Sequence, residues 1–285
     1  MNSYFGYEGK VCVVTGAASG MGRATAELLI ALGAEVYALD VNQVQLDGAK
    51  KFITCNLGSK ESIDTAFAEL PQVIHKFFGI AGISGLTADF TTTLTVNFVG
   101  NKYITEQYLV DRLVDGPVGA IAYMSSQGGA GWKEFPDEYK DFADAASWEE
   151  ALARIEAKGV TEGKTGYILS KRALIYYTKK MASMFGGRNV RVNTVGPGNT
   201  VSGLIDDFRS FAGSYEKSQI MWGAIRREAT SEEQAKAIMF LNSDLAEMIS
   251  GQALYVDGAA RSNVEIGASP LPFDPVAGPL LKQPM

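Results

Sequence analysis

The 285-residue chain contains one histidine, His75, and two cysteines, Cys12 and Cys55. A histidine-based metal centre is thereby excluded, and no metal is expected. A Ser-His-Asp triad would have to use His75, and no G-x-S-x-G stretch exists to present its serine. Each cysteine stands in a short apolar run without metal-ligand spacing, so both read as buried, reduced thiols, in keeping with a cytoplasmic protein. Positive charge is not in excess. Twenty-six Lys and Arg against 32 Asp and Glu leave a net charge of −6, which argues against nucleic acid or an anionic membrane as partner. No apolar run approaches the roughly 18 residues of a membrane span. The opening MNSYFGYEGK lacks the basic and apolar regions of a signal peptide. Proline is sparse until the end: five of the nine fall in 269–285, which reads as an extended Pro-rich tail.

What is present is a repeat of short apolar runs and amphipathic stretches. KVCVVTG is a continuous apolar run stopped by glycine, the pattern of a strand buried on both faces. MGRATAELLIALG follows with helical spacing, and AEVYALD, KFITCNL, VIHKFFGIAG and GAIAYMSS read as further strands. VRVNTVGPG and GQALYVDGAA complete the set, and a long helix is predicted over 92–114. Strands alternating with helices predict an α/β fold, a Rossmann-type doubly wound parallel sheet with helices on both faces. The stretch from Asp40 to Phe52 is too short for a full crossover helix. Residues 1–268 read as a single domain.

Between the first strand and first helix stands TGAASGMG, residues 15–22. Gly16 permits a sharp turn, and Gly20 and Gly22 clear space where a pyrophosphate approaches the backbone. The following helix offers free N–H groups and a positive dipole end. Ser19 and Met21 complete this candidate cradle. Asp40, at the end of the second strand, is placed to accept hydrogen bonds from an adenosine ribose and to repel a 2′-phosphate. No basic residue follows it at Val41 or Asn42, so NAD is expected over NADP.

Tyr167 and Lys171, in TGYILSKRAL, leave the same face of a predicted helix one turn apart. Moving a hydride from an alcohol also requires a proton to leave its oxygen. A free phenol titrates near ~10, too high for an efficient base at neutral pH, and an adjacent ammonium together with the positive nicotinamide ring is expected to lower it. With TGxxxGxG at 15–22, Asn97 in VNFVG, YMSS at 123–126, YxxxK at 167–171 and GPG at 196–198, the chain resembles the short-chain dehydrogenase/reductase family over about residues 9–261. It follows the TGxxxGxG branch and not the extended, epimerase-like one.

The resemblance implies Tyr167 as general acid/base, Ser126 as hydrogen-bond donor to the reacting oxygen, Lys171 as its electrostatic partner and ribose contact, and Asn97 as a helix-bending link to solvent. It implies cofactor contacts from Asn56, Leu57, Ala81, Gly82, Pro197 and Gly198, and from Thr200 or Ser202, between which the sequence does not choose. Two departures stand out. Gly79-Ile80-Ala81-Gly82 replaces the family's Asn-Asn-Ala-Gly, and Asn56 replaces an aspartate.

Ser126 and Tyr167 are 41 residues apart, an unusually long interval for the family. The insertion at 128–166 carries nine acidic against five basic residues and is expected to lie as a lid over the active-site mouth. Its acidity argues against a strongly anionic substrate. All three tryptophans, Trp132, Trp148 and Trp222, fall in this insertion or in a second segment, 199–225. Trp132 and Trp222, with Gln127 and Gly128, are therefore candidates to line an apolar substrate pocket.

The pattern is most similar to bacterial 3α-hydroxysteroid dehydrogenase/carbonyl reductases, which implies a hydroxysteroid or bile-acid substrate. The alternative is another apolar or aromatic secondary alcohol. An alternative of another class, a non-catalytic NAD-binding sensor, has little need of four intact catalytic positions. The resemblance also implies a homo-oligomer, a dimer or tetramer built on the helices at 92–114 and 168–185, although the insertion enters beside that contact.

Overall fold

A computed structural model describes residues 2–211, 213–269 and 280–281. Seven strands form one parallel sheet: β1 Val11–Thr15, β2 Glu35–Asp40, β3 Lys51–Thr54, β4 Lys76–Gly79, β5 Ala120–Met124, β6 Arg191–Pro197 and β9 Ala253–Val256, in the order β3-β2-β1-β4-β5-β6-β9. The order reverses between β1 and β4, the place where doubly wound sheets open a crevice at their carboxyl ends. β4, β5 and β6 are buried along their whole lengths, as the apolar runs predict. A two-stranded pair, β7 Thr200–Val201 with β8 Ala229–Thr230, stands apart from this sheet. The interval after β2 holds no helix. The expected tail lies outside the described residues, apart from Ser269, Leu280 and Leu281.

Two helices flank the site. One is the 22-residue helix Gly163–Met184. The other is a composite over residues 90–112, in which π-helical turns at Thr95–Val99 and Thr105–Leu109 interrupt α-helical ones. The first π turn carries Asn97, and the Asn101 side chain donates to its carbonyl at 3.2 Å. Wide turns of this kind are rare and displace the side chains they hold from the α-helical face.

The insertion does not lie over the mouth. Tyr139, Phe142, Ala151 and Ile155 are buried in the same core as Phe98, Leu169 and Tyr177. Phe142 meets Phe98 edge-on at 5.8 Å between centroids, and Trp148 meets Tyr103 at 5.6 Å. Its helix Trp148–Glu156 is capped by Ser147, which accepts from the Glu150 N–H. The amphipathic pattern of this segment is satisfied by the outer faces of the two long helices, which offer more apolar area than a solvated cleft. The helix surface expected to carry a subunit contact is thus covered by the chain's own residues. The acidic groups are spread over pairs such as Asp141 with Lys158 (3.0 Å), Asp144 with Lys180 (2.7 Å) and Glu149 with Lys60 (2.9 Å).

At the inner edge of the insertion, the fully buried Arg172 donates to Glu138 Oε2 at 2.6 Å and, through Nε, to the Ala130 carbonyl at 3.2 Å. Glu138 Oε1 accepts the backbone N–H groups of Leu280 at 2.5 Å and Leu281 at 2.8 Å. One carboxylate therefore joins the insertion, the 163–184 helix and the C-terminal region.

His75 is structural: its Nδ1 accepts the Val11 N–H at 3.1 Å. Cys12 and Cys55 are free and buried, and burial pushes both thiols up to about 12. Among the described residues, no helix is long and apolar enough to cross a membrane.

Candidate active site

Two adjoining cavities open at the carboxyl ends of the strands. The first, about 340 Å³, is lined by Gly16, Ser19, Gly20, Met21, Gly22, Asp40, Asn56, Leu57, Ala81 and Gly82 among others. Its floor is made by close backbone approach. Gly16 has φ +73°, and a Cβ there would come within 2.8 Å of Ala81 Cα. A Cβ at Gly22 would sit 2.0 Å from the Gly16 carbonyl oxygen. Helix Gly20–Ala31 begins at this turn.

Asp40 is fixed by two backbone donors, Ala18 N–H to Oδ2 and Asn42 N–H to Oδ1, each at 3.0 Å. No Lys or Arg is among the residues lining this cavity. The two amides missing after β4 are replaced in part by Thr15. Its hydroxyl accepts the Ile80 N–H at 3.0 Å and the Ala81 N–H at 3.2 Å, bracing the ends of β1 and β4. Asn56 turns its side chain onto the Gly58 N–H at 2.8 Å.

The second cavity, about 270 Å³, is lined by Ser126, Gln127, Gly128, Tyr167, Lys171, Pro197, Gly198, Thr200 and Ser202, with apolar walls from Ile83, Ile168, Leu204, Phe208 and Met221. Met21, Gly82 and Ser202 line both cavities. Ser202 therefore stands at the junction. The Thr200 hydroxyl is engaged internally, donating to the Gly198 carbonyl at 2.9 Å and accepting from Gln234 at 3.2 Å.

Ser126 caps a short 3₁₀ turn, its Oγ accepting the Gly128 N–H at 3.1 Å, and it hydrogen-bonds with the Tyr167 hydroxyl. The neighbouring Ser125 is turned away and donates to the Lys171 carbonyl at 3.0 Å. Lys171 Nζ lies 5.4 Å from the Tyr167 ring centroid and donates to the Met124 carbonyl at 2.9 Å. Asn97 Oδ1 accepts the Ile83 N–H at 2.8 Å, while its Nδ2 donates to the Ile83 carbonyl at 3.0 Å and to Ser170 Oγ at 3.3 Å. It thereby ties the loop after β4 to the 163–184 helix.

Burial pushes the Tyr167 phenol up to about 12, opposed by its hydrogen bond with Ser126. Burial also brings the Lys171 ammonium down to about 8. Desolvation thus works against both charged forms in the protein chain itself, while the expected lowering of the phenol also involves the positive nicotinamide ring.

Of the four residues expected in the substrate pocket, Gln127 and Gly128 line it and the two tryptophans do not. Trp132 packs on the core beneath two ammonium groups, Lys179 at 5.2 Å and Lys133 at 5.4 Å from its ring centroid. Trp222 lies in a neighbouring cleft of about 130 Å³, its ring 6.1 Å from that of Tyr215. Trp132 thus packs on the core and Trp222 against Tyr215, both away from the catalytic cavity's lining. The 199–225 segment reaches the cavity instead through Leu204, Phe208, Ser218 and Met221. The Phe208 and Tyr167 ring centroids are 5.3 Å apart. Lys164 and Ile168, which also line the cavity, were findable from their i,i+3 and i,i+4 spacing around Tyr167 and Lys164.

Comparison with known proteins gives the family. The family described as short chain dehydrogenase matches residues 10–137, and that described as enoyl-(acyl carrier protein) reductase matches 151–259. The chain is 33 % identical over 254 residues to the coniferyl-alcohol dehydrogenase of Pseudomonas sp. strain HR199, covering 89 % of this chain and 97 % of that one. It is 25 % identical to the 3-alpha-hydroxysteroid dehydrogenase/carbonyl reductase of Comamonas testosteroni, covering 87 % and 95 %. Among solved structures, the 3-alpha-hydroxysteroid dehydrogenase from Pseudomonas sp. B-0831, complexed with NADH, shares the fold with a TM-score of 0.73 at 24 % identity, over 92 % of this chain and all of that one. The chain belongs to the short-chain dehydrogenase family. It is an oxidoreductase of alcohols and ketones.

Proposed function

We propose that residues 2–268 form one catalytic unit that uses NAD to interconvert an apolar, ring-bearing alcohol and its carbonyl compound. The observation that carries this reading is the convergence of Ser126, Tyr167 and Lys171 on one largely apolar cavity that adjoins a glycine-floored cradle. The cradle suits a dinucleotide: Gly16 and Gly22 leave room for a pyrophosphate, and Asp40 stands ready for ribose hydroxyls. With no cation in the lining to balance a 2′-phosphate, the cofactor is NAD.

In oxidation, Ser126 Oγ donates to the carbinol oxygen and holds it against Tyr167. Tyr167, as its phenolate, takes the hydroxyl proton as the C–H bond breaks and becomes the phenol; in reduction the phenol gives that proton to the carbonyl oxygen. The bound nicotinamide supplies hydride exchange and, in its oxidised form, a positive charge. Burial holds the phenol near 12, opposed by its hydrogen bond with Ser126; Lys171 is charged below about 8, and together with the nicotinamide charge its ammonium, 5.4 Å from the Tyr167 ring centroid, is the group placed to favour the phenolate. Asn97 bonds the Ile83 backbone and the Ser170 side chain, tying the loop after β4 to the helix that carries Tyr167. Gly82 is kept small because a Cβ would stand 3.1 Å from Asn97 Oδ1 and 3.6 Å from Lys171 Nζ. Water is excluded by Leu204, Phe208 and Met221.

A hydroxysteroid is the first candidate substrate, on the position of the long insertion and the likeness to the Comamonas testosteroni protein. A second reading, an aryl alcohol, is favoured by Phe208. Its ring beside Tyr167 offers an aromatic face near the reacting carbon, and the 33 %-identical relative is named for coniferyl alcohol. The test is NADH formation with both alcohol series, run alongside Tyr167→Phe. General acid–base catalysis of this kind contributes about 10²–10⁴-fold. The variant should lose that factor in kcat while binding NAD as before. Retained turnover would refute the assigned proton transfer, and silence of the parent enzyme with every alcohol would favour a sensor.

A further inference from the structure

Most neutral polar side chains that line the catalytic cavity are engaged within the protein. Ser125 donates to the Lys171 carbonyl, and Ser218 donates to that of Tyr215 at 2.6 Å. The Thr200 hydroxyl is held by Gly198 and Gln234. Ser202 Oγ accepts the Leu204 N–H at 3.4 Å, and Asn199 donates to the Ser218 carbonyl at 3.4 Å. Gln127 differs. Among the described residues, no group bonds its side-chain amide. The residue is nevertheless only 8 % exposed, and what it exposes faces the cavity it lines.

The backbone beneath this amide is fixed. Gln127–Gly129 form the 3₁₀ turn capped by Ser126. The Gly129 N–H donates to the Ser126 carbonyl at 2.9 Å, and the Ala130 N–H to the Gln127 carbonyl at 3.1 Å. Gly129 lies so close to the 163–184 helix that a Cβ would stand 2.5 Å from Ile175 Cδ1 and 2.9 Å from the Lys171 carbonyl oxygen. The turn is thereby held to the helix that carries Tyr167. Solvent satisfies an amide in an open cavity. A wholly apolar substrate would displace that solvent and leave a buried donor and acceptor unpaired, which costs roughly 5- to 150-fold in affinity. A site with such a group selects the substrate that pairs it and rejects the analogue that does not.

We infer that the substrate carries a second hydroxyl group, and that Gln127 is the residue that recognises it. A carboxamide offers an acceptor oxygen and an NH₂ donor, and a hydroxyl is the small neutral group that meets both. A keto or ether oxygen meets the donor only. Gln127 follows Ser126 directly in the chain, which puts the second hydroxyl on the ring system that bears the reacting carbon. The inference rests on the alcohol–ketone reading above. It narrows that reading from a plain apolar alcohol to a diol or a phenol-bearing alcohol and the matching hydroxyketones. Gln127 is then a specificity-determining residue and takes no part in proton transfer.

The test compares 1-tetralone with its 5-, 6- and 7-hydroxy and its 5-, 6- and 7-methoxy derivatives, titrated calorimetrically into the full chain saturated with NAD. A ketone with oxidised cofactor exchanges no hydride, so binding is read alone. At one ring position or more, the hydroxy compound should bind at least about fivefold tighter than 1-tetralone, and the methoxy compound should gain less. Gln127→Met, of similar length and without the amide, should remove the hydroxyl gain and bind 1-tetralone at least as tightly as the parent protein does. NAD affinity checks that the variant is folded, and the ligand series in the parent protein needs no variant. No binding of any tetralone, no such gain at any position, a methoxy gain equal to the hydroxy one, or a hydroxyl gain that survives Gln127→Met would each overturn the assignment. Reduction of the tetralones by NADH is followed separately. If the hydroxyl preference depends on Gln127 yet no ketone is reduced, the inference stands and the alcohol chemistry falls. If the tetralones are reduced without regard to the hydroxyl, the chemistry stands and the inference falls.

Discussion

Replacing Glu138 by glutamine changes no volume and removes one charge from a dry site. The Arg172 guanidinium, fully buried, then faces an amide across the 2.6 Å gap now spanned by an ion pair. Removing one partner of a buried pair costs about 3–5 kcal/mol, because the remaining charge is stranded away from water. With an unfolding entropy of about 2.1 cal/mol/K per residue, a chain of this length gains about 0.6 kcal/mol/K, so Tm should fall by about 5 to 8 °C. The double variant Glu138→Gln with Arg172→Met leaves no charge to strand. The glutamine oxygen still accepts from Leu280 and Leu281, and methionine fills much of the arginine's volume. Most of the loss should be recovered. Calorimetric or fluorescence melting of the parent, both single variants and the double variant gives the cycle. A Glu138→Gln protein melting within 2 °C of the parent (about 1 kcal/mol or less by the same arithmetic) would refute the reasoning. So would a double variant no better than the single ones.

Two further outcomes follow from the site. Asp40→Ala should reduce the preference for NAD over NADP by about 100-fold, because like charges about 6 Å apart at an effective dielectric near 20 repel by about 3 kcal/mol; steady-state kcat/KM with each cofactor checks it, and an unchanged ratio counts against the ribose assignment. Ketone reduction should slow above pH 8: Lys171, brought down to about 8, is a cation below that value and neutral above it, so the support it gives the phenolate left by proton delivery disappears as pH rises. A kcat/KM profile that stays level to pH 9.5 would remove Lys171 from that role.

The sequence made the sheet legible because a strand covered on both faces is largely apolar, as β1 and β5 are, even though β4 and β6 also bury Lys76, Arg191, Asn193 and Thr194. It made the cradle legible because only glycine fits where Gly16 and Gly22 meet neighbouring backbone. It did not reveal the two π turns in residues 90–112, since hydrophobic periodicity over a few residues does not separate a wide turn from an α-helical one. Nor did it reveal where the insertion lands. An amphipathic helix such as Trp148–Glu156 announces that it has an apolar face and says nothing of which surface receives it. The tryptophans misled for the same reason: Trp132 and Trp222 have the area to line a pocket, but area does not say which surface it covers, and they pack on the core and against Tyr215. The burial of Tyr167 and Lys171, which works against both charged forms, is not legible in a one-turn spacing; the lowering expected for the phenol involves the nicotinamide ring as well as Lys171.

The contact between Glu138 and the backbone of Leu280 and Leu281 sets an order on biogenesis. The carboxylate leaves the ribosome 142 residues before Leu280, an interval of about 7–30 s at 5–20 residues per second. Until then, the Glu138 oxygen that Leu280 and Leu281 will engage lacks those two donors, and the insertion is held on the nascent helices by its aromatic contacts, Arg172 and ion pairs such as Asp144 with Lys180. Locking of this corner waits on Leu280 and Leu281, and chaperone engagement or proteolytic nicking should concentrate there during the wait.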